Sequence, residues 1–99
     1  MDKELYKIHS EVCKVFSNPT RLEILDLLRG RGLSVSALMK KTGLSQANVS
    51  QHLSIMKSKG IVAYERKGKN VYYRLQNPKV VKAFDIMREA LIENLRKRL

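Results

Sequence analysis

The sequence predicts a mainly α domain with one small β-hairpin (α+β), in the order α-α-α-α-β-β-α. Two observations carry that prediction. Along most of the 99 residues, apolar side chains recur at intervals of three and four, the period of a helix buried on one face. Between Gly60 and Gln76 the period drops to two, as in a half-buried strand. Asn-Pro, Thr-Gly and single glycines mark the borders between these stretches. At 43% apolar residues, the chain can build one modest core.

Each element follows from its residues. Over 3–16, Leu5, Ile8, Val12 and Val15 form one apolar stripe, which Phe16 widens. Asn18-Pro19 ends that helix and starts another, because Asn caps well and proline fits the first helical position, where no N–H is needed. The second helix, about 19–30, carries Leu22, Ile24, Leu25, Leu27 and Leu28 and is expected to be buried on more than one side. Gly30 and Gly32 break it. Ser34 or Ser36 caps a short third helix with Leu38 and Met39, which Thr42-Gly43 stops. Ser45 caps a fourth, about 46–59, with Val49, Leu53 and Met56 on its apolar face. Residues 61–66 and 70–75 read as strands joined by Lys67-Gly68-Lys69-Asn70. Val62, Tyr64, Val71, Tyr73 and Leu75 are expected on the core side, with Tyr72 and Arg74 opposite. Asn77-Pro78 repeats the cap-plus-proline start, and a last helix follows over 78–97 with Val80, Phe84, Met87, Leu91 and Leu95 in a stripe. Two short helices joined by a tight turn, followed by a hairpin, make a winged helix-turn-helix within a single domain, 1–99.

Charge placement points to a partner. The net charge is +11. Residues 1–26 and 85–99 are nearly neutral, whereas 27–84 hold twelve bases and a single acid, Glu65. A positive field confined to the middle of the chain suits a polyanion. The fourth helix adds a second signal. With its core positions set aside, Ser45, Gln46, Asn48, Ser50, Gln51 and His52 remain, a run of donors and acceptors rather than the Lys and Glu of a merely soluble face. Gln and Asn match the paired groups on adenine, and Ser hydroxyls and helix N-terminal amides suit phosphates. Lys57 follows on the same helix, and Arg66, Lys67, Lys69 and Arg74 decorate the hairpin, where bases reach phosphates or the minor groove. The expected partner is double-stranded DNA.

These motifs resemble those of the ArsR/SmtB family of winged-helix repressors. Asn18-Pro-Thr-Arg-Leu-Glu-Ile-Leu25 is similar to the opening of its second helix, Leu44-Ser-Gln-Ala-Asn-Val-Ser-Gln-His-Leu53 to its recognition helix, and Gly60-Ile-Val with Gly68-Lys-Asn-Val-Tyr-Tyr-Arg-Leu75 to its wing. The resemblance covers about residues 10–77. It implies a homodimer built by the first and last helices, and repression of an operon relieved by a small effector. On that basis 1–17 and 78–99 are dimerisation helices, 34–59 the helix-turn-helix and 61–76 the wing. The stripes point the same way independently. A last helix of about 20 residues spans roughly 30 Å, more than so small a domain covers. Leu5, Ile8, Val12, Phe84, Met87, Leu91 and Leu95 are thus the expected interface, which would set two recognition helices on an inverted repeat.

The family's familiar sensor chemistry is missing from these residues. Ser34 and Ser36 stand where soft-metal sensors carry Cys-x-Cys, and a neutral hydroxyl replaces thiolate poorly. The last helix offers Asp85, Glu89 and Glu93 but no His, and these acids, interspersed with Arg88 and Arg96, read as a solvated face. Members that sense oxidants or reactive sulfur carry a cysteine in the second helix and one in the last; here Asp26 lies in the second helix and the last has none. His9 and Cys13, four residues apart on the first helix, remain as candidate ligands for zinc shared across a dimer, or Cys13 for oxidation. The competing reading makes Cys13 a small buried apolar residue beside the Ile8/Val12 stripe. No metal and no cofactor are expected.

Other classes fit less well. A sequence-tolerant architectural DNA protein would carry Lys and Arg where Gln46, Asn48 and Gln51 stand, and a protein-binding module would need an acidic partner. No enzyme is expected, because His9 and His52 lie on different helices, no carboxylate orients His52, and Gly30-Arg31-Gly32 is too short for a phosphate loop. One cysteine excludes a disulfide framework, the N-terminus lacks an apolar signal core, and no apolar run reaches bilayer length, so a cytoplasmic protein away from the membrane is expected.

Overall fold

A computed structural model describes residues 2–98. Five helices and one hairpin follow in the order α1 (Lys3–Val15), α2 (Pro19–Leu27), α3 (Val35–Thr42), α4 (Gln46–Ser58), β1 (Val62–Lys67), β2 (Asn70–Leu75) and α5 (Lys79–Lys97). Helix starts are set by side-chain caps. Asn18 accepts the Arg21 amide at 3.1 Å, Ser34 that of Ala37 at 3.1 Å, and Ser45 that of Asn48 at 3.2 Å. Asp2 does the same for α1 through Leu5 at 2.9 Å. At α5 the cap is a variant: Asn77 accepts from the Lys79 amide at 3.0 Å, and Pro78 is already helical in backbone angles.

The turn between α3 and α4 is closed from several sides. The Gly43 amide donates to Met39 O at 2.8 Å with φ +76°, a conformation glycine adopts without strain. The Thr42 hydroxyl donates to Leu38 O at 2.6 Å and accepts from the Leu44 amide at 3.3 Å. The helix-turn-helix angle is therefore held by local bonds before any packing is counted.

Twelve buried apolar residues form the core: Val15, Ile24, Leu25, Leu28, Leu38, Val49, Leu53, Met56, Ile61, Val62, Leu75 and Val81. They come from every helix and from the base of the hairpin, and no polar or charged residue is buried among the described residues. The strands pair antiparallel from Val62↔Leu75 to Lys67↔Asn70. Gly68, with φ +63°, and Lys69 make the turn, so it spans two residues rather than four. Leu33 bridges β2 as well, exchanging hydrogen bonds with Tyr73 at 2.9 and 2.8 Å. That single bridge ties the loop before α3 to the wing.

Several expectations are corrected. The second helix ends at Leu27, because the Leu28 amide is shared between the carbonyls of Ile24 and Leu25 and the chain tightens into a turn. Tyr64 keeps the face of Val62 but is 46% exposed, since the hairpin runs past the edge of the core. On α5 it is Val81, not Val80, that is buried. Of the acids on α5, Glu89 and Glu93 are exposed as expected, but Asp85 is engaged. Asp85 accepts from Arg29 at 2.7 Å and Arg88 donates to Asp26 at 3.1 Å, while Arg29 also holds Asp26 at 2.9 Å. These four side chains lash the first half of α5 to α2 and the turn that follows it.

Two stability outcomes follow. Leu53→Ala should cost about 2–5 kcal/mol, the range for emptying a sealed leucine site. Gly43→Ala should cost roughly 1–2 kcal/mol through backbone strain alone, because nothing lies within 4 Å of the added Cβ. Urea unfolding of each variant reads both.

Candidate nucleic-acid interface

The rotation of α4 about its axis decides which side chains face outward. Val49, Leu53 and Met56 have zero exposure and point into the core. At 100° per residue, Gln51 then lies on the opposite side, with Gln46 and Ser50 on one flank and Asn48 and His52 on the other. Ser45, Gln46, Asn48, Ser50 and Gln51 are all exposed. The helix presents amide and hydroxyl groups there, without a charged residue before Lys57.

His52 differs from its neighbours. It is half-buried, and its Nδ1 lies 3.4 Å from an Arg21 guanidinium nitrogen. Burial first, and then the Arg21 charge, push the imidazole below its usual pKa. Sequence reasoning missed Arg21, since residues 31 apart carry no periodic signal.

The wing joins α4 through Lys57. Its ammonium sits 4.0 Å above the centre of the Tyr64 ring, and Tyr64 in turn packs on Tyr73 at 5.8 Å. The Met56 carbonyl accepts from the Ile61 amide at 3.0 Å, which fixes the hairpin root to the end of α4. The exposed hairpin bases divide between its two faces. Arg66 shares the side of Tyr64 and Tyr73, whereas Lys67 and Arg74 share the side of Glu65 and Tyr72. Arg74, Lys67, Glu65, Tyr72 and Gly32 line a groove there. Lys69 stands in the turn itself. The structure thus brings Lys57 and Arg66 to the α4 side of the wing and sets Arg74 away from it.

The residues expected at an interface between copies also separate. Leu5, Ile8, Met87, Leu91 and Leu95 are 47–61% exposed. Val12 and Phe84 are half-buried against the chain's own core, where Phe84 meets Phe16 edge-on at 4.6 Å. His9 and Cys13 both line a shallow groove on α1 with Tyr6, Ser10, Lys14 and Ser17. Cys13 is exposed, so the buried-residue reading of it is corrected. The Ser34 hydroxyl is engaged as the α3 cap. Among the described residues, no three of His, Cys, Asp or Glu converge as a metal site requires, and no helix is long and apolar enough to cross a membrane.

Comparison with known proteins agrees with this architecture. Residues 18–64 match the model of the arsR family of bacterial regulatory proteins. The chain is 33% identical over 96 residues to the uncharacterized HTH-type transcriptional regulator Rv0081 of Mycobacterium tuberculosis, covering 96% of this chain and 84% of that one. It is 36% identical to the transcriptional repressor SdpR of Bacillus subtilis over 66 residues, 67% of this chain and 73% of that one. The crystal structure of Rv0081 superposes with a TM-score of 0.87 at 33% identity, over 98% of each chain. The homodimeric winged helix-turn-helix DNA-binding domain of Mb0332 from Mycobacterium bovis gives 0.85 at 32% identity, over 95% of this chain and 87% of that one. The fold and site define a winged helix-turn-helix protein. It belongs to the arsR family of bacterial regulatory proteins.

The depressed His52 pKa predicts a pH effect on folding. The unfolded chain takes up this proton first as pH falls below about 6.5, so stability holds above that value and declines as pH drops toward the folded midpoint. His52→Gln should remove this part of the decline, read as the change in urea midpoint between pH 7.5 and 5.5.

Proposed function

We propose that this chain is a sequence-specific DNA-binding transcriptional repressor that acts as a homodimer on an inverted-repeat operator. The observation that carries the reading is the face of α4: an uncharged row of amides and hydroxyls held outward by a fully buried apolar side. Gln46, Asn48, Ser50 and Gln51 read base edges in the major groove, and Ser45 and the first amides of α4 meet phosphate. Lys57, Arg66, Lys67 and Lys69 supply the salt-dependent part of binding, with Arg74 contributing from the far face of the wing. The SdpR name, a transcriptional repressor, supports the direction of regulation.

The division of labour follows the chain. Residues 34–59 form the reading unit, 61–76 the wing, and 1–17 with 78–99 the dimer contacts. Leu5, Ile8, Met87, Leu91 and Leu95 leave an apolar surface that a second copy covers, and Val12 and Phe84 support it from beneath. The homodimeric Mb0332 domain supports this assembly. Such a protein works without catalysis and in the bacterial cytoplasm, where its DNA lies. The inducing signal is either absent or unlike the family's cysteine and histidine sites. His9 and Cys13, exposed on one groove of α1, favour a second reading in which zinc or an oxidant acts at the dimer contact.

Fluorescence anisotropy on the duplex upstream of the chain's own gene, against a scrambled duplex, tests the reading. Gln51→Ala or Asn48→Ala should narrow the gap between the two duplexes by about 1–3 kcal/mol for each lost base contact. Lys69→Ala should weaken both alike and reduce the salt slope by about 1. An equal loss on both duplexes for Gln51→Ala would reassign that residue to phosphate. Equal binding of both duplexes by the wild type, and by duplexes from the rest of the genome, would favour an architectural protein. Loss of specific binding on adding zinc would favour the His9/Cys13 reading. Leu91→Glu should yield a monomer by sedimentation and weaken operator binding.

A further inference from the structure

Arg21 is held at three points. Its backbone amide is capped by Asn18 at 3.1 Å. Its Nε donates to the carbonyl of Val15, the last residue of α1, at 2.6 Å. One terminal nitrogen then lies 3.4 Å from Nδ1 of His52 on α4. A surface arginine usually wanders, but this guanidinium is anchored at its base and has little freedom left. It spans the end of α1, the start of α2 and the middle of α4.

We propose that Arg21 locks the tautomer of His52, so that α4 carries an imidazole bare at Nδ1 and able only to donate at Nε2. The chemistry is one of elimination. A guanidinium has five donors and no acceptor, and it does not lose its proton. The ring nitrogen facing it must therefore offer a lone pair. A hydrogen on Nδ1 would meet the guanidinium hydrogen head-on, and a doubly protonated ring would add a second positive charge beside the first. The neutral ring with hydrogen on Nε2 is the form that satisfies the contact. Burial and the Arg21 charge both disfavour the imidazolium, in keeping with that state.

The consequence rests on the reading of α4 as the DNA-contacting helix. His52 lies on the same flank as Asn48, one turn further along. Nε2 has no hydrogen-bond partner among the described residues. A locked donor there pairs with N7 of guanine or adenine, guanine O6, thymine O4 or a phosphate oxygen, and is refused by the amino groups of adenine and cytosine, so that of the four bases only cytosine offers it no partner. A freely exchanging ring would accept either kind of partner. Arg21 is thus a positioning residue that gives one side of the reading helix a fixed polarity.

Long-range nitrogen–proton correlation spectra of the labelled full-length protein at pH 7.5 test this directly, with the His52 ring assigned through His52→Gln. The expected result is one tautomer in the wild type, with Nδ1 unprotonated and Nε2 protonated. In Arg21→Met the His52 nitrogens should move toward the averaged shifts of a freely exchanging ring. The preference for specific over scrambled duplex should fall roughly threefold to tenfold. A proton on Nδ1 in the wild type would overturn the proposal, as would an unchanged ring pattern in a folded Arg21→Met protein. If that variant does not fold, the wild-type spectrum still decides. A wild type that shows the locked ring yet binds neither duplex upholds the Arg21–His52 pair and overturns the DNA reading on which its consequence depends.

Discussion

Everything in this molecule depends on the complete burial of one face of α4. Val49, Leu53 and Met56 have no exposed surface, and they share one core with residues of α2, α3 and the hairpin root. Rotating α4 by one residue would bring polar groups such as Gln46, Ser50 or His52 toward a core that holds no polar residue. That penalty fixes the helix about its axis. Fixing the axis sends Gln51 outward and leaves Gln46, Ser50 and Asn48 on the flanks. The exposed polar face is a by-product of packing: hydrophobic burial on one side supplies the rigidity that the proposed hydrogen-bond recognition needs on the other.

Around that helix, the structure separates what is rigid from what is incomplete. The turn through Thr42 and Gly43, the root bond from Ile61 to Met56 and the bridge between Leu33 and Tyr73 pin α3, α4 and the wing to one another. The outer helices are different. The beginning of α5 is secured by Val81, by Phe84 on Phe16, and by ion pairs with α2 and the turn after it. Beyond Arg88 no core residue remains on α5, while Leu91, Ile92 and Leu95 stay exposed. The first half of α1 repeats the pattern with Leu5, Tyr6 and Ile8. A sealed centre with apolar ends left on two helices is what the proposed second copy would cover.

Helix starts and the turn between α3 and α4 were legible in the sequence because local chemistry sets them. Asn18-Pro19, Ser34, Ser45 and Thr42-Gly43 each act within four residues, and all are used as their spacing suggests. The core face of α4 was legible because its period is helical. What escaped were the polar and aromatic side-chain contacts between elements. Arg21 meeting His52, Asp85 meeting Arg29, and Lys57 lying over Tyr64 join side chains that no periodicity links. Tyr64 shows the same limit from the other side. Alternation assigns its face correctly, but only the length of the hairpin relative to the core shows that the ring is exposed. Within the candidate site, composition marked the polar row on α4, whereas the two faces of the wing needed the strand register.

The central claim is that this packed helix reads sequence, twice, across a two-fold axis. Selection of bound duplexes from a random pool, followed by sequencing, tests it most directly. The account predicts an enriched inverted repeat whose half-sites are centred about one helical turn apart, roughly 10 base pairs. A pool that stays random while the protein binds it tightly would contradict the account, and so would a single unrepeated half-site.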